Sequence, residues 1–223
     1  MDHPTRPAEP IPARLLALVS GVVGLLAGLF LIGFFVLDSS GVRLAGLSLG
    51  FVNDVLGAVQ FAALAPVAWV LGRRLPSTRT VSVATGMAVV AMVAFVVLSV
   101  LLVTDVLTFA TQIGPVVVAI ITIYGWLLLV NLLAHRTRTL PRAVTRTGVL
   151  LGVGLVTGLV LVGAGFVLPG IVGALATWLG YGLGGVAWLG LPLYVLLLAV
   201  RVFPPASPTA VPVAAGPVQG VRS

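Results

Sequence analysis

The chain has no cysteine and no lysine, and only 8% of its 223 residues are charged, against about 25% in an ordinary soluble domain. Without cysteine there are no disulfides, thiolate catalysis, iron–sulfur clusters or cysteine zinc sites. Without lysine there is no Gly-Lys-Ser/Thr phosphate loop and no Schiff-base mechanism. Histidine is nearly missing too, with only His3 and His135, and the acids are Asp2, Glu9, Asp38, Asp54 and Asp105. From so small an ionisable set we expect no enzyme: no catalytic residue, no metal ligand set and no cofactor.

Apolar residues fill the space left. They make up 60% of the chain, more than a water-soluble fold of this size can hide, which excludes a soluble enzyme and a disordered protein. The sequence therefore reads as an all-α polytopic membrane protein. A hydrocarbon core of ~30 Å takes about 20 apolar helical residues. Six runs reach that length, at about 12–37, 51–72, 81–104, 113–133, 147–168 and 178–200. They are continuous rather than alternating, which favours helices over a barrel. The expected organisation is an N-terminal tail over 1–11, a six-helix transmembrane domain over 12–202 and a disordered proline-rich tail over 203–223. The first run is also longer than the 7–15 apolar residues of a signal peptide, so it is expected to remain as a span.

All twelve basic residues are arginine. Arg6, Arg14, Arg73, Arg74, Arg79, Arg136, Arg138, Arg142, Arg146, Arg201 and Arg222 fall on one side of a six-span arrangement, and Arg43 alone on the other. The positive-inside rule makes the crowded side cytoplasmic, with both termini in. Placed beside apolar runs, these arginines fit membrane topology better than nucleic acid binding. Arg136, Arg138, Arg142 and Arg146 are expected to touch anionic lipid head groups, at about 1 kcal/mol each. A composition rich in Ala, Val, Leu, Gly and Arg with no Lys fits a GC-rich bacterial genome, and hence a bacterial plasma membrane.

Residues 169–190 carry seven glycines and read equally as an outer loop, a re-entrant segment or the beginning of span six. Pro192 is expected to kink span six near the midplane. Small residues mark close helix contacts in lipid. Gly24 with Gly28, and Gly154 with Gly158, form such faces, suited to packing within the bundle or to a homo-oligomer or membrane partner.

Four residues are candidates for a ligand or ion contact. Asn53 and Asp54 open span two, Gln60 follows on the same face as Asn53, and Tyr124 lies near the midplane of span four. Ionisable groups inside spans are costly and tend to be functional, although Asp54 sits ~28 Å from Arg73, at the outer boundary. Asp54 and Asp105 are offset by ~7–8 Å along a hairpin centred near residue 77, which argues against an acid–base pair. Gly46-Leu47-Ser48-Leu49-Gly50 matches the G-x-S-x-G of a hydrolase elbow, but both histidines map to the opposite side, so the match reads as accidental. His135 reads as an interfacial residue.

Asn53-Asp54 opening span two, Trp126 with Asn131 closing span four, Leu140-Pro141 before a glycine-rich span five, and Trp188 with Pro192 in span six give the chain a resemblance. It resembles six-helix membrane proteins of actinobacteria grouped as domains of unknown function, over about residues 12–202. The resemblance implies the same fold and supplies no catalytic residue. The expected function is that of a non-catalytic structural, regulatory or accessory membrane protein. The alternative is a small transporter or channel subunit with a path lined by spans two, four and six. An intramembrane enzyme stands third.

Overall fold

Long apolar runs without competing water keep every backbone hydrogen bond inside the helix, and the computed structural model accordingly contains six long helices. It describes residues 12–37, 43–44 and 47–203. The helices are α1 (Pro12–Leu37), α2 (Leu49–Arg73), α3 (Arg79–Val103), α4 (Phe109–Thr137), α5 (Arg142–Val167) and α6 (Gly170–Arg201). All six are long and apolar enough to cross a membrane. The chain is an all-α six-helix bundle.

Three helix starts share one device. Ser48, Thr78 and Thr108 each stand in extended conformation just before a helix and accept the backbone N–H three residues on, from Phe51, Val81 and Thr111. Each fills one of the donors that a helix N-terminus leaves open. Ser48, the serine of the hydrolase-like pentapeptide, therefore has a structural task; Gly46 of that motif lies outside the described residues. Pro141 and Pro169 precede α5 and α6.

Of the three readings open for residues 170–190, the structure takes the last: α6 is one helix of 32 residues running through all of them. The reversal before it uses Gly170 at φ +62°, a left-handed conformation that glycine adopts at no steric cost. The arginines expected in a loop between spans four and five instead sit on helix ends. Arg136 lies in the last turn of α4 and Arg142 opens α5, so the connector is only 138–141. Helices continue past the apolar stretch because the next residue's hydrogen bond still favours them. A short antiparallel pair, β1 (Arg43–Leu44) with β2 (Leu47–Ser48), lies just before α2, and hydropathy alone does not reveal it. The expected tails over 1–11 and 203–223 lie outside the described residues except for Phe203, which is buried at the end of the bundle.

Each helix packs on its neighbours in sequence, and α6 closes the ring against α1. Glycines let the closest pairs approach. A Cβ on Gly158 would come within 2.8 Å of the Gly180 carbonyl oxygen and the Gly184 nitrogen, so α5 and α6 touch backbone to backbone. On α1, Gly21 meets Leu196, Gly24 meets Gln60 and Gly28 meets Leu189. The stripes at Gly24, Gly28 and Gly158 are thus filled from within the chain. Gly154 makes ordinary contact with Ala187.

The core lies where α2, α4 and α6 face one another. Leu64, Val67 and Leu71 of α2 meet Ile123 and Leu127 of α4 and Leu191, Val195 and Leu198 of α6. At one end of the bundle, Arg74 donates from Nη1 to the Val202 carbonyl at 2.6 Å and lies 4.7 Å over the Phe203 ring. This ties the α2–α3 turn to the end of α6, which an up-and-down order of six helices places at the same end.

Candidate functional site

The polar side chains of this apolar bundle fall into three groups.

The deepest group links helices. Asn131 of α4 and Tyr194 of α6 are fully buried. The Asn131 amide donates to the Leu127 carbonyl at 2.8 Å and to the Tyr194 oxygen at 3.0 Å, and the Tyr194 hydroxyl donates back to Asn131 Oδ1 at 3.3 Å. Gly148 of α5 lies so close to the Asn131 amide that a Cβ there would overlap it. One asparagine thus fixes three helices. Nearby, the Trp126 indole N–H donates to Thr85 Oγ1 of α3 at 3.1 Å, and Thr85 packs on Gly72 of α2. In lipid such bonds average about 0.6 kcal/mol and reach about 1.7. A double-mutant cycle of Asn131→Ala with Tyr194→Phe should return a coupling near the upper figure, because neither group has water to fall back on. Independent effects would show the pair to be incidental.

The four candidates for a ligand or ion contact, Asn53, Asp54, Gln60 and Tyr124, have different neighbours. Tyr124 is fully buried and donates its hydroxyl to the Ala187 carbonyl at 3.1 Å. Gln60 is buried against Gly24 of α1. Asn53 and Asp54 stay together near the beginning of α2, where the Asn53 amide donates to Asp54 Oδ1 at 3.2 Å. Between them lies an aromatic layer of Phe61, Phe95 and Trp188, with ring centroids 4.4–6.3 Å apart.

The space lined by α2, α4 and α6 is the path the transporter alternative would use. It holds about 10 Å³ and its walls are apolar, room for one water at most and without the polar partners that water needs. Tyr194 reaches this seam but has already spent its hydroxyl on Asn131.

The third group is the arginine end. Arg14, Arg73, Arg74, Arg79, Arg136, Arg138, Arg142, Arg146 and Arg201 gather at the ends of the six helices that share one side. Arg136, Arg138, Arg142 and Arg146 are all exposed. Arg138 closes α4 at φ 54° and donates its backbone N–H to the Ala134 carbonyl. His135 shares a 3.4 Å contact with Thr145 across the α4–α5 turn. The charges described at the opposite end are Arg43, Asp54 and Asp105.

Sequence reasoning missed Thr85, Tyr194, Ser99 and Gln112. Tyr194 and Ser99 are lone polar residues in apolar runs, while Thr85 and Gln112 sit in the more polar first turns of α3 and α4; Ser99 and Gln112 are 2% and 6% exposed. Three-to-four-residue spacing would have put Thr85, Ser99 and Gln112 on packed faces; naming partners needed the helix register. No protein-family model, curated protein or solved structure matches this chain.

Proposed function

We propose that this chain is a non-catalytic accessory protein of a bacterial plasma membrane, held with both termini on the cytoplasmic side and its arginine end resting on anionic lipid head groups. The observation that carries the reading is the centre of the bundle: a seam of α2, α4 and α6 with about 10 Å³ of apolar space and an aromatic layer above it. A solute path needs converging polar groups in a wet cavity. Among the buried polar side chains, Tyr124, Trp126, Asn131 and Tyr194 are hydrogen-bonded to neighbouring helices. The arginine distribution supports the orientation, and exposed Arg136, Arg138, Arg142 and Arg146 suit lipid phosphates at about 1 kcal/mol each.

The test is reconstitution. Proteoliposomes should pass sodium, potassium and glycerol no faster than protein-free vesicles, and binding to vesicles containing phosphatidylglycerol should weaken when the four arginines become glutamine. Protein-dependent flux would overturn the accessory role. Because the chain has no cysteine, a single one at Ser77 reports orientation: an impermeant maleimide added outside intact cells should leave it unlabelled.

A further inference from the structure

We infer that the tip of the α5–α6 hairpin, residues 159–179, is a docking surface for a second copy of this chain.

Contacts with α1 measure how far the hairpin reaches. Gly21 of α1 meets Leu196 of α6, and Gly28 meets Leu189. Seven residues along α1 are thus matched by seven back along α6, across Pro192. At the same register Leu37, the last residue of α1, is level with Gly180. Gly180 packs on Gly158 of α5, backbone to backbone. Residues 159–179 therefore extend past the end of α1. Helix α6 begins at Gly170, ten residues further on, or about 15 Å of helix. Tilted by 40°, the steep end for spans, those residues still rise ~11 Å.

Asp38, Ser39 and Ser40 follow Leu37 and mark its level as the edge of the apolar layer. The other two turns at this end carry charge, at Asp38 and Arg43 and at Asp105. The α5–α6 turn carries none, and no polar side chain occurs from Gly158 to Ala176. Between Leu159 and Val186 the only buried residues are Gly173 and Gly180. Both face α5, at Gly165 and at Gly158. No side chain of the tip is buried against the rest of the bundle.

Neither hydrocarbon nor water suits such a tip. No side chain caps the start of α6, so its first N–H groups need water or an acceptor, which hydrocarbon lacks. Yet Phe166, Val167, Ile171, Leu175, Trp178 and Leu179 are 56–83% exposed. Six large apolar side chains at that exposure present on the order of 800 Å², more than the largest apolar patch of a typical monomer, about 300–600 Å². It is also about one partner's share of a standard interface.

The chemistry of the tip selects the occupant. A surface without charge or hydrogen-bonding side chains cannot choose a different protein by complementary charge, whereas pairing with its own image needs none. Copies that share one orientation hold their tips at one height on one side, so a two-fold axis along the bilayer normal brings them together. This step rests on the arginine-set orientation, which the Ser77 label tests separately; the accessory reading is not needed for it.

The experiment uses the full chain in phosphatidylcholine–phosphatidylglycerol vesicles. Energy transfer between copies labelled at Ser77→Cys should rise with the protein-to-lipid ratio and saturate at two copies. Ile171→Asp with Leu175→Asp should raise the ratio for half-association at least about tenfold, while Leu150→Asp, equally exposed but on the inner half of α5, should leave it unchanged. Single cysteines keep the tip apolar and cover the case in which the aspartates disturb folding. Under mild oxidation, cysteines placed in turn at 166, 167, 171, 172 and 175 should yield a disulfide dimer on one face of the tip, and Val90→Cys on α3 none. A monomer at every ratio, whether its tip lies in lipid or awaits another protein, overturns the inference. So does association untouched by the aspartate pair, or cross-linking as strong at Val90 as at the tip.

Discussion

Replacing Gly180 by leucine should unfold the α5–α6 hairpin, while the same change at Gly182 should leave the protein as stable as before. A Cβ on Gly180 would stand 2.6 Å from the Gly158 carbonyl oxygen and 2.8 Å from the Val162 nitrogen. Both are backbone atoms, so no rotamer change relieves them and the helices must separate. Overpacking of this kind costs about 1–3 kcal/mol and more when backbone must move. Separation also removes the contacts of Gly184 and Val162 that depend on it, so we place Gly180→Leu at the top of that range or above. Gly182 has nothing within 4 Å, and its replacement should gain up to about 1 kcal/mol from helix propensity. Sodium dodecyl sulfate titration followed by far-ultraviolet circular dichroism gives both midpoints. Equal midpoints for the two variants would mean that α5 and α6 are not in backbone contact.

Trp126→Ala should cost about 3–5 kcal/mol. The indole is 5% exposed, lines the α2–α4–α6 seam and bonds Thr85 of α3, so one truncation opens a void and strands a hydroxyl. Trp126→Phe separates the two losses. It keeps most of the ring volume and loses only the N–H donor, so it should cost no more than about 1.7 kcal/mol, the upper range for an interhelical bond in a membrane. The same titration measures both. If the phenylalanine variant is as unstable as the alanine variant, the seam does not depend on packing, and the dry centre loses its support.

How far the sequence reached differs between the two ends of this comparison. The first helix was legible at both boundaries, because Pro12 suits a helix start and the apolar run stops at Leu37. The first half of α6 was not legible. Seven glycines between 170 and 190 look like loop residues by the rules of soluble proteins. Inside lipid no water competes for the backbone, and glycine marks the closest approach of two helices. Even so, Gly180 and Gly182 are indistinguishable in the sequence, and only the packing tells the crowded one from the free one. Asp54 stood out as a charge beside an apolar run, whereas the bonds from Trp126 to Thr85 and from Asn131 to Tyr194 needed the register of the packed helices. Gln60 and Tyr124, grouped with Asp54 by spacing and depth, turned out to face α1 and α6.

Nine described arginines crowd one rim of the bundle. Carrying one guanidinium through the middle of a bilayer costs about 2.5–3.5 kcal/mol by the lower measures, so carrying nine exceeds about 20 kcal/mol. A finished molecule therefore cannot turn over. In a bilayer, the direction in which the chain is first inserted would therefore be the direction it keeps.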